Sequence, residues 1–269
     1  MNKTVKIYVI VLFLLMVGAI AIEFSKPQPL IWSRTYYETH KIPYGTYIFY
    51  NEFESLFPTA PIQELGVTPY EYFNELYDWE TDEYLTNGTY MYIDEIMTID
   101  EVSAQELLDF VAYGNDVFIS SNYLPQLFSD SLKLDMRNEY NFRGKAQFSL
   151  ANSRLANDSI TVERGLNNIH FSKLDSLTTT VLGYQRFNFE NKINYIHVKY
   201  GDGNFFLHLQ PMVFTNYNLL KNDHYKYTAA VMSYLNEDTI HFDSRQKNRN
   251  EMSNSPMRFI LSQPPLKWA

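Results

Sequence analysis

Two serines close an apolar stretch in NDVFISSN, Ser120 and Ser121, with Asn122 directly behind them. A serine placed where a strand breaks off is the arrangement of a hydrolase nucleophile. That strained elbow needs small neighbours, normally glycine. Here the neighbours are Ile119, Asn122 and Tyr123, so the polar residues read as caps for a helix starting near Tyr123. Ser120 and Ser121 remain the candidate nucleophiles of an alternative reading as a hydrolase. A second chemistry is metal binding by His197 and His208 in INYIHVKYGDGNFFLHLQP. A turn centred on Asp202-Gly203 would set the two imidazoles opposite each other. They would share a face with Tyr195, Lys199, Phe206 and Gln210, and Ile196, Val198, Leu207 and Leu209 would line the greasier side. A catalytic zinc site wants a third protein ligand. No carboxylate lies at suitable spacing, and Lys199 would repel a cation, so a structural pair is the expectation. The third feature is acidic. From Ile42 to Leu132 the chain has 17 Asp and Glu and no Lys or Arg. Asp78, Glu80, Asp82, Glu83, Asp94, Glu95, Asp100 and Glu101 form the candidate face for a basic partner, the plainer reading being that acidic and basic halves pack together. DWETDEYLTNG does not match a calcium loop.

The elements that must position these residues alternate. A helical stretch from about Thr46 to Phe57 ends before Pro58, and PIQELG could be a short strand. Thr68 and Pro69 open a helix as N-cap and first residue. GTYMYID reads as a strand. TIDEVSAQELLDFVAYG reads as a helix with Val102, Leu107, Leu108 and Val111 on one face and Gly114 at its end. DVFISS then reads as a buried strand, which makes the first half a doubly wound, mostly parallel α/β sheet. TTTVLGYQRF and the histidine hairpin are strands, NDHYKYTAAVMSYL a helix and DTIHFDS a possible last strand. The domain so outlined spans residues 42–244.

Of the 269 residues, 45% are apolar and 16% aromatic, with 22 Tyr and 19 Phe, ample for a core with many polar tips to satisfy. The absence of cysteine excludes disulfides, thiolate zinc sites and a cysteine nucleophile. Phosphate-loop, H-E-x-x-H, G-x-S-x-G and G-x-G-x-x-G signatures are missing, so no cofactor is expected. The net charge is −9, while residues 133–269 carry 17 basic against 12 acidic side chains. An acidic central block repels nucleic acid, and none is expected as a partner.

Lys3 and Lys6 precede an uncharged run from Ile7 to Ile22. Sixteen helical residues cover about 24 Å, slightly short of a hydrocarbon core of about 30 Å, and Phe24 and snorkelling lysines extend the span. The flanking charges keep the amino terminus in the cytoplasm and send the rest across. Residues 1–26 are therefore expected to be an uncleaved membrane anchor, with a cleaved signal peptide as the rival because Ala19-Ile-Ala21 resembles a cleavage site. Residues 27–41 form a proline-containing spacer. Residues 245–269 form a polar, basic tail that turns apolar at its end.

HKIPYGTYIFYNEF, TIDEVSAQELLDFVAYGNDVFISSNYLP, GDGNFFLHLQPMVFTNYNLL and NSPMRFILSQPPLKWA resemble a family of bacterial envelope proteins of unknown function. Its genes lie beside those of a MoxR-type AAA ATPase and von Willebrand factor A-like partners. The resemblance implies a fold similar to class I glutamine amidotransferases, which is flavodoxin-like, without the catalytic cysteine. It also implies a second membrane helix after the LKWA stretch, so that a chain ending there would be truncated. On this footing the chain is expected to be a non-catalytic binding or scaffolding module. Its place would be the extracytoplasmic side of the inner membrane, in a MoxR-ATPase-associated complex. A hydrolase or a small-ligand or glycan-binding domain is the alternative.

Overall fold

The computed structural model describes residues 3–25, 30–140, 144–152, 154–155, 159–188, 190–236 and 238–244. The expected tail at 245–269 lies outside them. The chain divides into two units, 1–32 and 33–269. In the first, helix α1 (Lys3–Ser25) is continuous. Its Lys3–Ile22 stretch, with a mean hydropathy of 2.7, is long and apolar enough to cross a membrane.

The second unit carries the other elements. It opens with α2 (Tyr47–Asn51), α3 (Phe53–Leu56), β1 (Ile62–Leu65), α4 (Pro69–Glu75), β2 (Tyr77–Asp78), β3 (Glu83–Tyr84) and β4 (Thr89–Ile93). There follow α5 (Glu101–Ala112), β5 (Asp116–Ser120), α6 (Gln126–Ser131), β6 (Asp135–Asn138), β7 (Ala146–Leu150), β8 (Ile160–Val162) and β9 (Ile169–Lys173). Last come β10 (Thr179–Phe187), β11 (Glu190–Tyr200), β12 (Gly203–His208), a 3₁₀ turn (Pro211–Phe214), α7 (Asn216–Leu219), α8 (His224–Met232) and β13 (Ile240–Asp243). The helix expected from Thr46 to Phe57 is thus two short ones, interrupted at Glu52.

One sheet runs β1-β13-β4-β5-β12-β11-β10-β7-β8, with β6 and β9 attached through β11. The first five strands are mutually parallel, and from β12 onward every neighbour is antiparallel. The sheet is therefore mixed, where a mostly parallel one was expected. A two-residue turn between β11 and β12 can only reverse the chain, whereas each parallel step needs a crossover. In the parallel half the faces alternate strictly. Tyr90, Tyr92, Val117, Ile119, Phe205 and Leu207 pack under α4, α5 and α6. Met91, Ile93, Phe118 and Phe206 pack against α2, α3 and α8 on the other side. Both faces are covered, which is why these strands read as continuous apolar runs.

Local chemistry sets the helix positions. Thr68 accepts from Glu71 N–H while the Glu71 carboxylate accepts from Thr68 N–H, a complete capping box ahead of Pro69. Asp100 caps α5 through Ser103 N–H at 2.8 Å. The buried stripe of α5 is Ala104, Leu107, Leu108 and Val111. Val102, expected on that face, lies off the stripe and is 54% exposed.

Candidate functional site

The carboxyl ends of the parallel strands are the usual ligand crevice of such sheets. Here they hold a buried polar network. Ser120 ends β5 and His208 ends β12, side by side in register. Ser120 Oγ lies 3.0 Å from His208 Nδ1. The Gln210 backbone N–H also donates to Nδ1, at 3.4 Å, which places the ring proton on Nε2, 3.2 Å from Tyr227 OH. Asn122 donates to Leu209 O at 2.6 Å and accepts from Asn167 Nδ2 at 2.6 Å. Gln210 donates to Asn167 O and to Gln185 Oε1. Ser121 Oγ donates to the backbone oxygens of Glu95 and Tyr123. Ser120, Ser121, Asn122, His208 and Gln210 are all buried.

Two segments cover this edge. The Arg34 guanidinium ion-pairs with Glu95 just past β4. Tyr36, in a left-handed conformation (φ 49°), is buried in the core. Its backbone is held by Tyr44 O and the Thr46 hydroxyl. Burial, then Glu95, push the Tyr36 phenol far above its ordinary range. The second cover is the Arg164–Asn168 loop, whose Asn167 bonds both Asn122 and Glu95.

Ser120 and His208 therefore touch, without the usual surroundings of a hydrolase nucleophile. Ser120 belongs to the strand, with no elbow to present it. Burial lowers the His208 pKa from 6.5 to about 3, which disfavours the charged ring. Where a triad would have a carboxylate, Tyr227 OH stands. The expected capping role is corrected too. Helix α6 starts at Gln126, its N-cap is Pro125, and no side chain caps it. Ser121 and Asn122 tie strand ends together because loop backbone there must be satisfied internally.

The histidine pair separates. The turn is Gly201-Asp202, one residue earlier than expected, so His208 pairs with Tyr195 and His197 with Phe206. Gly201 occupies the left-handed φ of +58° that glycine adopts freely. Gly203, expected in the turn, starts β12, where a Cβ would come within 2.0 Å of Asn115 O. His197 Nε2 meets Asn204 Oδ1 at 2.7 Å, and Asn204 Nδ2 donates to Asp116. Both histidines keep the expected face. Among the described residues no group of three or more His, Asp or Glu is placed to hold a metal ion.

The eight acidic residues fall on two segments. Asp94, Glu95, Asp100 and Glu101 follow β4 at the carboxyl edge, where Glu95 pairs with Arg34 and Asp100 caps α5. Asp78, Glu80, Asp82 and Glu83 belong to the β2–β3 hairpin, near the opposite edge. There Glu83 and Tyr84 line a concavity with Tyr113, Gly114 and Asp202. Sequence reasoning missed the aromatic residues of this hairpin, Tyr77, Trp79 and Tyr84. The signal was their spacing within the acidic run YDWETDEY. It also missed Asn167, Gln185 and Tyr227, which no local pattern marks.

The profile of a family described as a domain of unknown function, DUF4350, matches residues 77–232, more than half of the chain. No curated protein matches. Among solved structures, two of Gan42B, a GH42 β-galactosidase from G. stearothermophilus, one of them a catalytic mutant, align at 13% identity with a TM-score of 0.31. The alignment covers 45% of this chain and 19% of that enzyme, and nothing about fold or activity follows from it.

Proposed function

The chain belongs to the DUF4350 family of domains of unknown function, and we propose that it is a membrane-tethered, non-catalytic binding module. One observation carries this reading. The strand ends where an α/β sheet of this kind would hold a substrate are filled by bonded, buried side chains from Ser120 to Gln210, under a cover made by Arg34–Thr46 and Asn167. The Lys3–Ile22 helix supports the tether, and Lys3 and Lys6 ahead of the apolar run support an extracytoplasmic domain. The resemblance of four sequence stretches to envelope proteins encoded beside MoxR-type ATPases supports a place in such a complex.

Crosslinking the tagged full-length protein in native membranes, followed by mass spectrometry of what it retains, tests the reading. Recovery of a MoxR-type ATPase or its membrane-bound companions is the expected result. A fluorophosphonate probe tests the hydrolase alternative. Labelling that disappears on Ser120→Ala or Ser121→Ala would overturn the non-catalytic reading, and the expected result is no such labelling.

A further inference from the structure

One concave feature of the domain lies between the β2–β3 hairpin and α5, away from the strand ends. A cleft of about 250 Å³ opens there, walled by Tyr77, Trp79, Tyr84 and Tyr113 and edged by Glu106 and Asp109. The rings meet edge to face. Tyr77 lies 4.9 Å from Trp79 at 74°, 5.0 Å from Tyr84 at 73°, and 5.8 Å from Tyr113 at 83°. Tyr84 and Tyr113 complete the set at 5.6 Å and 83°. The three tyrosine walls are held in place. Tyr77 OH donates to Asp82 and sits 3.0 Å from Tyr113 OH, and Tyr84 OH donates to Glu106 at 2.7 Å. Trp79 is left 77% exposed at the hairpin tip.

This combination selects a ligand by charge and by shape. Ring faces are negative, so rings set nearly perpendicular around a small space favour a compact cation. Glu106 and Asp109 add carboxylates that no Lys or Arg pairs with among the described residues, and the sequence around them is free of basic residues from Ile42 to Leu132. About 250 Å³ accommodates one long basic side chain and excludes a folded surface.

We propose that this cleft binds an organic cation carried on a partner polypeptide, the ammonium of a lysine or the guanidinium of an arginine. The Trp79 ring closes over it, and Asp109 and Glu106 face its charge. The proposal rests on the binding-module reading and names where that module grips its partner.

The test uses the detergent-solubilised full chain and a tetralysine peptide at physiological salt, with tetra-arginine, tetraglutamine and a neutral glucan oligosaccharide as comparisons. Saturable binding of both cationic peptides is expected, with none of tetraglutamine. Trp79→Ala should weaken it about tenfold, the range of a partly desolvated cation–π contact, and a Glu106→Gln, Asp109→Asn variant should weaken it at least as much. Trp79→Ala leaves the net charge untouched, so equal binding by it and the wild type would reduce the attraction to bulk charge and overturn the site. Trp79-dependent binding of the glucan in place of the peptides would overturn the ligand class. Failure of the parent reading looks different. The wild-type protein would then retain no partner in membranes, whatever the peptides do.

Discussion

The strand-end network and the hairpin cleft are made of the same materials, carboxylates, amides and aromatic rings, and differ in what remains unsatisfied. At the strand ends Ser120, Asn122, His208 and Gln210 spend their donors and acceptors on one another and on backbone, out of contact with water. At the hairpin the hydroxyls are engaged, Tyr77 with Asp82 and Tyr84 with Glu106, while the Trp79 ring and Asp109 remain exposed. The difference teaches that the carboxyl edge of a parallel sheet is only an opportunity. A polar residue there is a functional group when its bonding capacity is unspent, and mortar when it is spent.

That contrast is broken most directly by emptying the network. His208→Ala removes a fully buried ring and takes their partner from Ser120 Oγ and the Gln210 N–H. The expected cost is about 3–4 kcal/mol, cavity and lost bonds together. Ser120→Ala removes one hydroxyl and leaves Nδ1 bonded by the Gln210 N–H, for about 1 kcal/mol. Urea titrations of both variants measure the gap. A His208→Ala protein as stable as Ser120→Ala would mean that the ring is not the keystone described here.

Acid gives the next largest effect and follows from the same burial. His208 has a folded pKa of about 3 and an ordinary unfolded one near 6.5, so below about pH 6.5 the unfolded chain binds a proton that the folded chain refuses. Stability is therefore full above pH 6.5 and falls as the pH drops towards 3. Between pH 7 and 5 the loss from this residue is about 2 kcal/mol. Burial lowers His170, His224 and His241 as well, and they pull in the same direction. A His208→Gln variant should show a flatter stability profile between pH 7 and 5, whatever its stability at pH 7. An unchanged slope would place the proton uptake elsewhere.

What could be read in advance follows from how local the cause is. The Thr68–Glu71 capping box and the alternating faces of β4, β5 and β12 are written within a few consecutive residues, and they are in place. The β11–β12 turn was legible as a turn but not to the residue, because the decision lies with Asn115, whose carbonyl oxygen is too close to position 203 for a Cβ. β6 alternates only between exposed and half-buried positions, so its hydrophobic signal is faint; AQFSL in β7 buries Ala146, Phe148 and Leu150 in plain alternation, a signal that was present and passed over. The site was less legible than the fold. Ser120 and His208 are 88 residues apart and meet only because β5 and β12 are neighbours. The hairpin cleft joins Tyr77 to Tyr113 across the length of β4 and α5.

The smallest stability effects separate the two groups of acids. Asp100 caps a helix of twelve residues, so Asp100→Ala should cost about 1 kcal/mol. Glu80→Gln and Glu83→Gln, on exposed hairpin positions, should each stay within about 0.5 kcal/mol. Retention of partners in membranes should run the other way. Neutralising Glu80 and Glu83 removes negative potential beside the aromatic cleft and should weaken capture, the more so at low ionic strength, where screening is least. Neutralising Glu101, in the first turn of α5 and about 12 Å along that helix from Asp109, should weaken capture less. If Glu101→Gln weakened capture as much as the hairpin pair did, the acidic run would act as one diffuse field, and the division into a packed edge and a working edge would lose its meaning.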